Sequence, residues 1–277
     1  MKNGFYVFDE SELVNSLDYH LDKAKLDIEC EELLNKLGRY LIPNLGSIKG
    51  SRILSVGCGA GSDIEKLNDL GAEAYGMDFA YRTEGWKARG VAPAKHYLFV
   101  SSAARIPFPV EFFDVILCMG VIEHVAEQLA SRKEYAKLDG QRGLFLNALF
   151  GVLKPGGTLI ITSPNRNFPI DFQHNAYGSP KVLAKFSVYT HSPFTRFLES
   201  YYSLSRHFER IGKHKAEPMP LVNFFGFNVF RLSSRLSGFK RIFETYIQAL
   251  DNCPQFVRRS FLNPYVVLKI VKESARC

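Results

Sequence analysis

The chain has 277 residues, enough for one α/β domain with additions or a domain plus a small cap. Hydrophobic residues make up 46% and charged residues 23%, a globular balance that supports a sizeable core, and no run of about 18 uncharged apolar residues reads as a spanning helix. Thirty-five basic against 28 acidic residues give a formal charge of +7, which alone leaves an anionic ligand, a nucleic acid or a membrane surface open.

The N-terminus runs into acidic residues without a long apolar stretch, so no secretory signal is expected and the chain reads as cytoplasmic. Cys30, Cys58, Cys118, Cys253 and Cys277 are far apart and odd in number. They suggest neither a disulfide framework nor zinc, and no metal is expected. Along the chain, Asp9 to Leu41 carries apolar residues at helical spacing (Leu13, Leu17, Leu21, Ala24, Ile28, then Leu34, Leu37, Leu41), with Asp9 as cap and Pro43 as stop. Arg52 to Val56 is a short apolar run ending in glycines and reads as a buried strand. Ser62 and Asp63 are expected to cap a following helix that Gly71 closes. Glu73 to Met77 is a second strand ending at Asp78, with further strands over His96–Val100 and Phe113–Met119.

Leu146, Leu149 and Leu153 then mark a helix face, Lys154-Pro-Gly-Gly157 breaks the chain, and Thr158 to Thr162 is another buried strand. Strands alternating with helices at this spacing predict a parallel sheet covered on both faces, with the ligand site beyond the carboxyl ends of the strands. Residues 165–237, rich in aromatics, prolines and basic residues, read as an insertion. Arg241–Ile247 and Tyr265–Val271 read as two closing strands.

Gly57-Cys58-Gly59-Ala60-Gly61 follows a strand and opens a helix, where glycine permits positive φ and close approach of backbone amides to a ligand. Asp78 stands 21 positions after Gly57, at the end of the next strand, where a carboxylate accepts the hydroxyls of an adenosine ribose. The third glycine arrives one residue earlier than in a dinucleotide fingerprint, which disfavours a nicotinamide dehydrogenase.

That spacing resembles the first motif of class I S-adenosylmethionine-dependent methyltransferases. Further segments resemble the type 11 (UbiE/UbiG-like) methyltransferase family: Ala104-Arg-Ile-Pro-Phe-Pro109 before Phe113-Asp-Val-Ile-Leu-Cys118, Val121-Ile-Glu-His-Val125, and Val152-Leu-Lys-Pro-Gly-Gly157. The resemblance covers Ile53 to Asn165. It implies a Rossmann-like α/β fold with a seven-stranded, mostly parallel sheet and an antiparallel last strand. The expected parts are an N-terminal helical segment (1–45), a cofactor-binding core (46–164), a helical and aromatic lid on the substrate side (165–237) and C-terminal strands completing the sheet (238–277).

It also implies that S-adenosyl-L-methionine lies over Ser55, Gly57, Cys58, Gly59 and Gly61. Asp78 would take the ribose hydroxyls, Phe79 the adenine face, Ser102 and Ala103 the adenine edge, and Met119 and Gly120 the sulfonium end. Two departures stand out, because the family usually has Asp where this chain has Ser55 and Ser102. Losing a carboxylate opposite a cationic cofactor weakens binding by about 1–3 kcal/mol at each place.

Methyl transfer to oxygen calls for a base, and His124, just beyond the fourth strand, is the candidate. Asn165, Arg166, Asp171 and His174 are substrate-side candidates, whereas His191, His207 and His214 read as surface residues. Phe224, Phe225, Phe227 and Phe230 with Tyr201, Tyr202 and Phe208 read as a lid packed on the sheet, or as a pocket for an apolar or lipid-linked acceptor with peripheral membrane contact. The expected activity is O-methylation of a small-molecule, lipid-linked or glycan acceptor. The rivals are an RNA or protein methyltransferase, although no separate nucleic-acid module is visible, and a non-catalytic methyltransferase-like binding subunit. The oligomeric state is not legible.

Overall fold

The computed structural model describes residues 6–7, 31, 33–79, 82–89, 98–100, 106–171, 189–190, 197–225 and 237–274. The expected helix over residues 9–30, Ser102, Ala103, His174, His191, Phe227 and Phe230 all lie outside the described residues.

The elements in chain order are β1 (Tyr6–Val7), a π-helical turn (Leu37–Leu41), α1 (Ile42–Leu45), β2 (Arg52–Val56), α2 (Ser62–Asp69), β3 (Glu73–Asp78) and α3 (Arg82–Ala88). There follow β4 (Leu98–Val100), β5 (Phe113–Met119), a 3-10 turn (Ile122–His124), α4 (Glu127–Ser131), α5 (Tyr135–Val152) and β6 (Leu153–Pro164). The chain continues through β7 (Ile170–Asp171), β8 (Tyr189–Thr190), α6 (Tyr201–Ile211), β9 (His214–Pro218), α7 (Ser237–Asp251), α8 (Gln255–Arg258) and β10 (Tyr265–Lys272).

Among the described residues the main sheet has eight strands in the order β1-β4-β3-β2-β5-β6-β10-β9, and β7 pairs with β8 in a separate antiparallel ribbon. The expected seven strands are corrected to eight, because Tyr6–Val7 adds an edge strand parallel to β4. The β2, β3, β4 and β5 pairings are parallel, as the βαβ alternation predicts. The antiparallel run of β10 follows from its contacts with β6. The Asn165 amide donates to Pro264 O, while Lys272 Nζ reaches Leu153 O at the opposite end.

Two compact units divide the chain. One comprises Met1–Cys118, Leu144–Leu159 and Val271–Cys277, the other Met119–Gly143 and Ile160–Ile270. In the first unit Ile53, Leu54, Ile64, Leu67 and Ile116 are fully buried, the product of apolar strands beside one helix face. The Pro-Phe-Pro segment has a packing role there. Phe108 stacks edge-on against Tyr75 at 5.1 Å and Phe113 at 4.8 Å. At the start of the strands Lys154 Nζ and the Arg52 amide both donate to the Asp114 carboxylate. Partial burial pushes that carboxyl up, but these two donors outweigh it and hold its pKa below the ordinary value.

Gly157 sits where no side chain fits, since a Cβ there would meet Leu153 Cδ1 and Lys154 O at 2.8 Å. The Lys-Pro-Gly-Gly segment does not end the chain's strand course: β6 runs unbroken from Leu153 to Pro164. Pro43 does not stop the N-terminal helix either, because it occupies the first turn of α1, where its missing N–H costs nothing.

In the second unit, α7 replaces the strand expected over Arg241–Ile247. Phe243, Ile247 and Leu250 are buried at spacings of four and three, a helical period that the short apolar run concealed. The 238–277 segment therefore contributes one sheet strand, β10, and the segment read as a lid supplies another, β9. Its aromatics serve the core: Tyr201, Phe208 and Phe224 are buried, and Phe224 lies 5.0 Å from Tyr265. The Tyr201 hydroxyl donates to Tyr265 O and accepts from Asn263 Nδ2 and the Val267 amide, and burial pushes its pKa up to about 12.

Candidate active site

The carboxyl ends of β2 and β3 carry the glycine turn. Gly57, Gly59 and Gly61 all hold positive φ (69°, 55° and 76°), the conformation that glycine alone adopts without strain. The Gly57 amide donates to Met77 O at 2.7 Å, and the Gly59 amide to Asp78 Oδ2 at 2.7 Å. Asp78 Oδ1 accepts from the Phe79 amide. Asp78, expected as the acceptor of ribose hydroxyls, also braces the glycine turn.

Two residues of α3 and its end, which no sequence pattern marks, close the turn from outside. Trp86, fully buried, donates Nε1–H to Gly59 O at 2.7 Å, and Arg89 donates to Ala60 O while pairing with Glu65.

Ser62 and Asp63 do not cap α2. Gly61 is the N-cap, in the left-handed region, and no side chain caps the helix. Asp63 is instead drawn inward: Ser55 Oγ donates to its Oδ2 at 2.5 Å, and the Ile64 amide donates to its Oδ1. Asp63 is 1% exposed and Ser55 3%. Burial raises the Asp63 pKa to about 6, against the Ser55 and Ile64 hydrogen bonds, and Asp78 raises it further. Cys58 is also fully buried, and desolvation with the fields of Asp78 and Asp63 pushes its thiol well up, which leaves it inert as a nucleophile.

These residues fit an adenosine-bearing cation. A carboxylate at the end of β3 is the group that accepts ribose hydroxyls. Ser62 Oγ is buried at the turn with no hydrogen-bond partner, a polar atom that a ligand would satisfy.

In the second unit, β5 ends at Met119 and Gly120 takes positive φ (66°) with its amide on Thr162 O. The 3-10 turn that follows presents His124, whose Nδ1 lies 3.1 Å from Glu127 Oε2. Both side chains are 44% exposed. Where Nδ1–H faces the carboxylate, Nε2 is the acceptor nitrogen of the ring. Glu127 was missed in the sequence although its i,i+3 spacing was a usable signal.

Arg142 holds this turn from behind. Its guanidinium donates to Glu123 O at 2.9 Å, Phe197 O at 2.7 Å and the Glu199 carboxylate at 2.6 Å.

Asn165 is corrected from substrate contact to structural lock. It is fully buried, its Nδ2 donates to Ser260 O and Asn263 O, and its Oδ1 accepts from the Asn167 amide. Arg166 Nη2 lies 3.5 Å from Ser200 Oγ. Asp171 falls in β7, whose side-chain surroundings there lie outside the description. His207 is corrected from surface to interior: it is 8% exposed beside Gly143, and burial lowers its pKa.

A family model described as "Methyltransferase domain" matches residues 25–201. The chain belongs to that family. Its parallel β2–β5 core with crossover helices is the α/β sheet that the family resemblance implies. It is similar to a ubiquinone biosynthesis O-methyltransferase from Cereibacter sphaeroides, 30% identical over 174 residues that cover 60% of this chain and 61% of the relative. A relative of the same description from Dinoroseobacter shibae is 32% identical over 170 residues, covering 59% and 60%. The matches therefore span about three-fifths of the length of these relatives. Among solved structures, a SAM-dependent methyltransferase from Archaeoglobus fulgidus aligns with TM-score 0.48 at 17% identity, covering 91% of this chain and all of that one. Among the described residues, no helix is long and apolar enough to cross a membrane.

Proposed function

We propose that this methyltransferase moves a methyl group from S-adenosyl-L-methionine to a hydroxyl of a small-molecule, lipid-linked or glycan acceptor. The observation that carries the choice of oxygen is the His124–Glu127 pair, five residues beyond the end of β5. Bound S-adenosylmethionine supplies a methyl already activated by its sulfonium, so the protein's task is alignment, exclusion of water and removal of one proton. Gly57, Gly59 and Gly61 let the backbone lie against the donor, Asp78 accepts its ribose hydroxyls, and Phe79 covers the adenine. Cys58 fills the turn without chemistry. The family resemblance would place Met119 and Gly120 at the sulfonium end. His124 Nε2 accepts the acceptor's hydroxyl proton as the oxygen attacks, while Glu127 holds Nδ1–H and steadies the resulting imidazolium. The O-methyltransferase relatives support the same choice of atom.

The test is transfer of labelled methyl from the donor into extracts of the native host, with mass spectrometry of the product. Label on an ether or ester oxygen of a small or lipid molecule is expected. Label on RNA or protein refutes the reading, and so does an absence of transfer by a protein that binds the donor. Calorimetry with S-adenosylhomocysteine should show binding that Asp78→Ala removes.

A further inference from the structure

The family resemblance left a gap: a serine stands at position 55, where a carboxylate is usual. The structure returns a carboxylate to that place from another element. We propose that Asp63 is a positioning residue that acts through Ser55 on the amino-acid end of the donor: the Ser55 hydroxyl donates its proton to Asp63 and turns its lone pairs to the donor's α-ammonium. The inference rests on the cofactor assigned above.

Three observations carry it. The first is the hydrogen bond itself, 2.5 Å between two side chains that are 3% and 1% exposed. A hydroxyl whose proton is committed to a carboxylate is an acceptor toward anything else, and the carboxylate behind it makes the acceptor strongly negative.

The second is the absence of a cap. An acidic residue in the first turn of a helix ordinarily spends its carboxylate on the helix amides, a role that would explain Asp63 without any ligand. Here only Oδ1 does so, accepting from the Ile64 amide, while Oδ2 turns inward to Ser55 and the side chain is buried. Ser62 Oγ, beside it, is buried and has no partner, an independent sign that a polar ligand group belongs at this turn.

The third is the charge arrangement. Asp63 and Asp78 bracket the glycine turn, each adds to the field that raises the Cys58 thiol, and Asp78 makes Asp63 harder to ionise. Arg82 acts on the same thiol in the opposite sense. A buried carboxylate facing a second carboxylate is costly in the free protein, and a cationic ligand relieves that cost. A neutral ribose does not. The donor's charged amino-acid end therefore belongs with Asp63, and its ribose with Asp78.

The experiment is calorimetric binding of two ligands to the full chain. S-adenosylhomocysteine carries the α-ammonium, and methylthioadenosine lacks the amino-acid end. Asp63→Asn keeps the shape and one acceptor oxygen and removes the charge. It is expected to weaken S-adenosylhomocysteine about tenfold and methylthioadenosine less than twofold. Wild-type affinity for S-adenosylhomocysteine should rise with pH through the ionisation of Asp63 and then level off, whereas Asp63→Asn should show no such rise. Ser55→Ala, which removes the relay, should give the same ligand-selective loss and decides the matter if Asp63→Asn does not fold. Equal loss of both ligands, or no loss of either, overturns the role of Asp63 while the cofactor assignment stands. Wild-type protein that binds neither ligand overturns both.

Discussion

Arg142 and Glu199, 57 positions apart, form a salt bridge of 2.6 Å with side chains only 1% and 3% exposed. The remaining Arg142 donors go to Glu123 O, Phe197 O and Val125 O, and Ser203 Oγ donates to the other Glu199 oxygen. The pair therefore ties the turn that bears His124 to the segment entering α6, with every charge accounted for. Removing one partner leaves the other buried and uncompensated. Arg142→Met should cost about 3–5 kcal/mol in urea unfolding, and Arg142→Met with Glu199→Met should recover most of it. A double variant as unstable as the single one would show that the carbonyl contacts, and not the ion pair, set the cost.

The turn itself should report on proton transfer. His124→Ala should lower kcat by about 10²–10⁴-fold while affinity for S-adenosylhomocysteine stays unchanged, since the imidazole acts on the acceptor's proton. Glu127→Gln should fall between wild type and His124→Ala, because the tautomer is then held less firmly. Stopped-flow or single-turnover methyl transfer measures both.

Asp63 couples stability to pH with a definite sign. Its folded pKa of about 6 lies above the ordinary value of 3.8, so the folded state holds the proton more tightly than the unfolded chain does. That contribution is complete below the unfolded pKa and is lost as pH rises through about 6. A shift of this size amounts to a loss on the order of 3 kcal/mol between acid and neutral pH. Asp63→Asn escapes the loss, so without ligand it should be more stable than wild type at pH 8 and close to it at pH 4. Denaturant titrations at the two pH values check this. A variant less stable at pH 8 would mark Asp63 as a purely structural carboxylate.

Gly157→Ala should destabilise the chain by about 2–3 kcal/mol, since the new Cβ meets Lys154 O at 2.8 Å and Asp114 O at 3.1 Å, neither of which can rotate away. By contrast Gly151→Ala, with open space at its Cβ inside α5, should be neutral or slightly stabilising. Thermal unfolding of the two variants tests whether the glycine in the Pro-Gly-Gly segment is there for packing.

Some of this was readable in one dimension. The alternation of β2, α2, β3 and β5, the glycines at 57, 59 and 61, and Asp78 at a strand end all follow from local rules: apolar period, positive φ and side-chain reach within a few residues. Where the local rule was ambiguous, the reading failed. Arg241–Ile247 satisfied both a short strand and one face of a helix, and only burial of Phe243, Ile247 and Leu250 on one side decided for α7.

The sequence by itself determined the family, the sheet's parallel core and the glycine turn after β2, because each depends on backbone conformation that a few neighbouring residues impose. The tertiary structure alone decided which polar groups meet in the interior. Ser55 with Asp63, Trp86 with Gly59, Arg142 with Glu199 and Asn165 with Asn263 join elements that no periodicity links. A buried polar group must find a partner wherever the packing brings one, and that is settled by the cost of leaving it without one, not by its position along the chain.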